Sequence, residues 1–183
     1  ASIRAFCDDK QLAAVAAGGV IRDIAEGFDP VEFRESRSED ESRRIWLGRK
    51  SAFGAMGQMG DYMCLDGTIP VSALPQVLGR IAEMSDEAGL MVANVFHAGD
   101  GNMHPLILFD ANDADELHRC ELFGADILET SVAMGGTVTG EHGVGRLKRP
   151  WLAGQLGPEV MELNRRIKTA LDPHGILNPG AAF

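Results

Sequence analysis

No stretch of this 183-residue chain approaches the roughly 18 consecutive apolar residues that a helix needs to cross a bilayer. Nor does a basic-then-apolar segment open it, so neither a membrane span nor a signal peptide is expected. Cysteine is scarce: Cys7, Cys64 and Cys120 are odd in number, widely spaced and without a CxxC pair. That pattern excludes a zinc ribbon or dithiol redox motif and suits free thiols in a reducing, cytoplasmic compartment. Lys and Arg never run beyond two in a row, while the net charge is −10, a surface that repels phosphate backbones. A nucleic-acid partner is therefore not expected. Internal repeats and low-complexity segments are absent too.

What is present is an ordinary globular composition, 45% hydrophobic, enough for one domain or one and a half. "DYMCLDGTIP" (61–70) reads as a strand ending at Pro70. "SALPQVLGRIAEMSDEAG" reads as a helix with Ser72 as N-cap and Gly89 as C-cap, its Leu74, Val77, Leu78, Ile81 and Met84 recurring at helical spacing. "LMVANVF" and "HPLILF" are β-rich runs on either side of a Gly-Asp-Gly-Asn turn. A second helix is expected from about Asp113 to Met134, then a last strand, "TVT" (137–139). The order β-α-β-β-α-β is the split βαβ unit, which predicts an α+β fold of ferredoxin-like type. An antiparallel sheet would carry helices on one face, with further helices at the C-terminus. Both faces of the hairpin are largely apolar, so the second face should need a cover.

Upstream, a helix opens with a Ser38–Glu41 capping box, preceded by a short strand, a helical patch and the strand "PVEFRES". Downstream, "PEVMELNRRIKTAL" is an amphipathic helix ending in the turn "DPHGILNPG". A chain that starts so abruptly with a strand is expected to be a piece of something larger.

Two histidines, His97 and His104, flank the turn in "NVFHAGDGNMHPLILF". Gly99 and Gly101 rule out one helix carrying both, and with it the helical zinc-protease motif. Residues facing each other across a hairpin have Cβ atoms ~4.5–5.5 Å apart, close enough for two imidazoles to share an ion. Glu141, just past the expected last strand in "TVTGEHGVGR", is the third candidate; His2Glu leaves coordination positions open, as catalytic sites do. Neighbouring side chains on extended backbone point apart, which makes His142 a base rather than a fourth ligand. Zinc, manganese and iron suit the set equally. The residues alone also allow histidines bonded to backbone, with glycines serving only the turns. Asp100 and Asn102 would shape the hairpin turn.

"VFHAGDGNMHPLILFD", "GGTVTGEHGVGR" and "DPHGILNPG" resemble the C-terminal half of FAD-linked 2-hydroxy-acid oxidoreductases, the group of bacterial glycolate oxidase and D-lactate dehydrogenase. With "LGRKSAF" and "DYMCLDGTIP" added, the likeness is greatest to the branch of FAD-linked glycolate oxidase D subunits. The resemblance runs from about residue 43 to 180. It implies that residues 1–145 are a cap domain and that 146–183 return to an N-terminal FAD-binding domain of the parent chain. It implies a divalent metal on His97, His104 and Glu141, with His142 removing the hydroxyl proton of a small 2-hydroxy acid. It also places Arg49 at the substrate carboxylate, and Asn178 and His142 beside the flavin of FAD. Companion subunits, including an iron-sulfur one, and a peripheral location at the inner face of the plasma membrane belong to the same expectation, while the homodimer is expected separately, from an apolar face that has lost its covering domain. Two departures stand out: Cys64 lies about where some relatives carry a substrate-binding lysine, disfavouring a dicarboxylate, and Ala181 replaces a lysine after "NPG". The rival readings are a metal-dependent hydrolase, active without flavin, and a non-catalytic ferredoxin-like binding module.

Overall fold

The computed structural model describes residues 3–7, 31–35 and 38–183, the side chains of 3–7, 31–35, 45, 48 and 49 excepted. Its elements are β1 (Ile3–Cys7), β2 (Val31–Glu35), α1 (Glu39–Met56), β3 (Asp61–Cys64), β4 (Gly67–Thr68), a 3-10 turn (Val71–Ala73), α2 (Leu74–Ala88), β5 (Val92–His97), β6 (Asn102–Phe109), α3 (Ala114–Ala133) and α4 (Arg149–Leu171). β1 and β2 pair in parallel. The helical patch expected between them lies outside the described residues.

The main sheet is antiparallel and built around β6. β5 runs along one side of β6, while β3 and β4 lie end to end along the other. The continuous strand expected over 61–70 is thus two strands. The cause is Pro105: its carbonyl accepts from Leu65 N at 3.1 Å, but it has no N–H to return a bond. The thiol of Cys64 donates to the Leu65 carbonyl instead, at 3.4 Å. Register survives the gap, with Cys64 opposite Leu106 and Gly67 opposite Met103, which sets Asp66 beside His104.

Alternation then sorts the faces. Met63, Leu65, Val92, Phe96, Met103 and Ile107 pack with Leu74, Val77 and Ile81 of α2 and Phe123 and Ile127 of α3. That is the α+β arrangement, helices on one face of an antiparallel sheet. His97, Asn102, His104 and Leu106 share the other face. α1 covers part of it, its Phe53 ring lying 6.4 Å from Tyr62 and 6.5 Å from His104.

Two local expectations are corrected. Ser72 is not an N-cap: Ala73 N bonds to Pro70 O at 2.8 Å, a 3-10 turn opens α2, and no side chain caps it. "TVT" is no strand; Thr137 makes a single bridge to Thr68, because the amides beyond it bond to side chains, Val138 N to Gln155 Oε1 and Gly140 N to Asp66. The helix expected over 158–171 is present, restarted by Pro158 after Gly157 (φ 75°), and a further helical stretch from Arg149 precedes that break. Gly89 does end α2 in the left-handed region, φ 63°.

Candidate functional site

The hairpin turn is fixed by Gly101, whose φ is +67° and where a Cβ would sit 2.0 Å from the Ile69 carbonyl oxygen. From this turn β5 ends on His97 and β6 begins on Asn102. His97 is therefore opposite Asn102, and His104 opposite Val95. The two histidines are diagonal neighbours on one face rather than a facing pair. Their rings still approach edge-on, with centroids 5.4 Å apart.

Glu141 completes the cluster from the loop after α3. Its Oε1 lies 3.1 Å from His104 Nε2, 3.8 Å from His97 Nε2 and 3.9 Å from His142 Nε2. An ion with ~2.1 Å bonds holds tetrahedral donors roughly 3.4 Å apart, so these separations suit one cation. The candidate donor atoms of His97, His104 and Glu141 all lie within 4.8 Å of one another. His104 is 3% exposed, yet its Nε2 has no hydrogen-bond partner. A buried nitrogen without a partner, aimed at a carboxylate and a second imidazole, fits the donor set of a metal ion. Burial, and after it the neighbouring His142, pushes the His104 pKa down, which favours the neutral imidazole, the form able to bind a metal.

His142 does not point away from Glu141 as extended backbone would require. Its ring stands 4.9 Å from that of His104, and it forms a second donor group with Asp66 and His104. The loop is curled rather than extended and wraps around Asp66. This carboxylate, completely buried, accepts from Thr139 Oγ1 at 2.7 Å and from the backbone N–H groups of Gly140 (2.9 Å), Glu141 (3.2 Å) and His142 (2.9 Å). Burial alone would raise its pKa; the bonds from Thr139, His142, Glu141 and Gly140 outweigh that and hold it well below the usual carboxylate range. Lys148, 5% exposed, donates its ammonium to the Asp66 backbone oxygen at 2.9 Å and to Oδ2 at 3.4 Å.

Gly140 is required by close approach: a Cβ there would fall 2.5 Å from Asn102 Oδ1, which is itself buried and has no hydrogen-bond partner. Asn102 thus packs against the loop carrying Glu141, besides shaping the turn.

The sequence reading located His97, His104, Glu141 and His142, and the structure brings all four together. It missed Asp66 and Lys148. The available signal was alternation: Tyr62, Cys64 and Asp66 fall on one strand face, and a charge in that series marks a buried polar group needing partners. Cys64 is half-buried, its thiol pKa raised by burial and then by Asp66. Arg49 belongs to α1, four residues before Phe53, and its side chain lies outside the described residues. Asn178 is exposed, with φ 46°, in the tail that folds back onto Gly145–Arg149 through Ala182 N to Gly145 O (2.7 Å) and Arg149 Nη1 to Gly180 O (3.0 Å).

Residues 4–182 match the family described as FAD linked oxidases, C-terminal domain. Glycolate oxidase subunit GlcD of Escherichia coli (strain K12) is 49% identical over 161 residues, covering 87% of this chain and 32% of that protein. Glycolate oxidase subunit GlcD of Bacillus subtilis (strain 168) is 35% identical over 164 residues, 89% of this chain and 35% of that one. The mitochondrial D-lactate dehydrogenase (cytochrome) of Arabidopsis thaliana is 32% identical over 164 residues, 88% of this chain and 29% of that one. The chain spans about a third of the length of these relatives.

Proposed function

This chain belongs to the family of FAD-linked oxidase C-terminal domains, and from that premise we propose that it supplies the metal, substrate and proton-accepting groups of a flavin-dependent 2-hydroxy-acid oxidoreductase. Its substrate would be of glycolate or D-lactate type and its product a 2-oxo acid. One observation carries the reading: Glu141 Oε1 lies within 3.9 Å of three imidazole Nε2 atoms, one of them buried and without a hydrogen bond.

His97, His104 and Glu141 would hold a divalent ion, zinc, manganese or iron, whose Lewis acidity lowers the pKa of a chelated hydroxyl. FAD, when bound, supplies the acceptor for the hydride leaving C2. The remaining work falls to this chain. His104 stays neutral in its buried position, and Glu141 brings the negative charge that balances the cation. His142, with 44% of its side chain exposed, stands at the open side of the cluster and takes the hydroxyl proton on Nε2. Arg49, on the helix whose Phe53 borders His104, would pair with the substrate carboxylate, and Asn178 would lie near the flavin.

In the same proposal residues 1–145 form the cap and 146–183 return to an FAD-binding domain in the rest of the parent chain. The exposed Leu163, Ile167, Leu171, Ile176 and Leu177 support this, since an apolar series on a helix and its following turn calls for a covering partner. Companion subunits, an iron-sulfur one among them, fit relatives that are themselves called subunits. Among the described residues no helix is long and apolar enough to cross a membrane.

Elemental mass spectrometry of the purified protein tests the metal site. Near-stoichiometric metal is expected, lost in the His97→Ala, His104→Ala double variant; equal metal in both would sink it. With flavin bound, His142→Ala should lose most turnover while keeping its metal. Full activity in that variant would remove His142 from the mechanism.

A further inference from the structure

We propose that Asp66 is the positioning residue of the Glu141–His142 pair. The inference rests on the reading of His97, His104 and Glu141 as metal ligands, and it names what holds the third of them in place.

Three consecutive N–H groups, those of Gly140, Glu141 and His142, converge on one carboxylate. Successive amides on an extended strand point to opposite sides, so three aimed at one group define a concave turn of the kind that receives an anion. The turn changes where the side chains go. On a strand Glu141 and His142 would diverge; wrapped around Asp66 both face His104, Glu141 Oε1 at 3.1 Å and the His142 ring at 4.9 Å. Asp66 in turn is fixed beside His104 by the register of β3 and β4 on β6, and its Oδ1 lies 3.6 Å from His104 Nε2. One buried carboxylate thereby ties the hairpin half of the site to the loop half. The Thr139 hydroxyl and the Lys148 ammonium complete its surroundings.

The alternative role for Asp66 is that of an ion ligand in its own right, with His104 and His142. Two variants of the intact protein separate the roles. Asp66→Asn keeps the shape but turns an NH2 toward amides that need acceptors. Thr139→Ala removes one bond to the carboxylate and no candidate ligand. Zinc affinity by chelator competition and amide exchange at residues 140–142 are read together, with core amides of α2 and α3 as reference.

Positioning predicts that Asp66→Asn speeds exchange of the three loop amides selectively and weakens zinc binding about 10–100-fold. Thr139→Ala should weaken it about fivefold, the equivalent of one hydrogen bond. The proposal is overturned if a folded Asp66→Asn protein keeps wild-type exchange at 140–142, or if Thr139→Ala leaves both exchange and zinc affinity unchanged. The second criterion decides the matter if Asp66→Asn does not fold. A wild-type protein that binds no zinc would defeat the metal reading alone, and loop exchange would still judge Asp66.

Discussion

Two buried aspartates in this molecule do the same thing at different range. Asp66 gathers the amides of residues 140–142 and takes a lysine, Lys148, that also bonds its backbone oxygen. Asp172 gathers the amides of Ile176 and Leu177, each at 3.0 Å, and takes Lys168, which also bonds the Leu177 carbonyl. The Asp172 unit is contained within ten residues, and its lysine is 34% exposed. In the Asp66 unit the partners lie 73–82 positions away in sequence and the lysine side chain is 7% exposed. The local unit shapes a tail; the distant one joins two parts of the fold at the point where the candidate ligands meet. The same chemistry therefore has different leverage, set by what it connects.

Removing each carboxylate is the strongest way to break the comparison. Asp66→Ala leaves three loop amides without their acceptor and a buried ammonium without its balancing charge, bonded only to the backbone oxygen of residue 66, and should cost about 3–5 kcal/mol by urea unfolding. Asp172→Ala should speed amide exchange at Ile176 and Leu177 while the global midpoint barely moves. Similar midpoints for the two variants would show that range does not matter.

A smaller effect is expected from the glycines of the two loops. Gly140→Ala forces its methyl group against the Asn102 amide and should cost about 1–3 kcal/mol, together with metal affinity. Gly175→Ala meets open space but has φ +64°, and should cost about 1 kcal/mol with metal binding unchanged.

The mildest test is acid. Both carboxylates have a folded pKa below the ordinary value, Asp172 chiefly through Lys168. Each therefore contributes stability in full above the unfolded pKa of about 3.9, a contribution lost as pH falls through the folded value. In chelator-treated protein, stability should decline as pH drops below about 5, and Asp66→Asn should flatten that slope more than Asp172→Asn. Parallel slopes would mean that Asp66 is not held in the charged form.

The parts of this arrangement that the sequence revealed are the local ones. Helices α2 and α3 announce themselves by spacing, Gly89 by its place after an apolar period, and the hairpin by "AGDGN". His97, His104 and Glu141 were visible because each lies within a few residues of a glycine-rich turn. Asp66 was hidden because every bond that explains it comes from more than seventy residues away. The mistaken strand over 137–139 has the same origin: "TVT" has the composition of a strand, but side-chain acceptors on Gln155 and Asp66 take the amides a sheet neighbour would have used. Pro105 could have announced the gap between β3 and β4, had the pairing of β6 been known beforehand.

The separation between Asp66 and its loop also has a meaning in time. The hairpin closes over four residues, a span that forms in microseconds, so His97 and His104 meet early. Glu141 and His142 arrive only when a chain segment of more than seventy residues has found the buried carboxylate, among the slower closures such a fold must make. The pair of histidines is then half of the proposed cation site through much of folding, and the arrival of Glu141 follows the assembly of the rest of the domain.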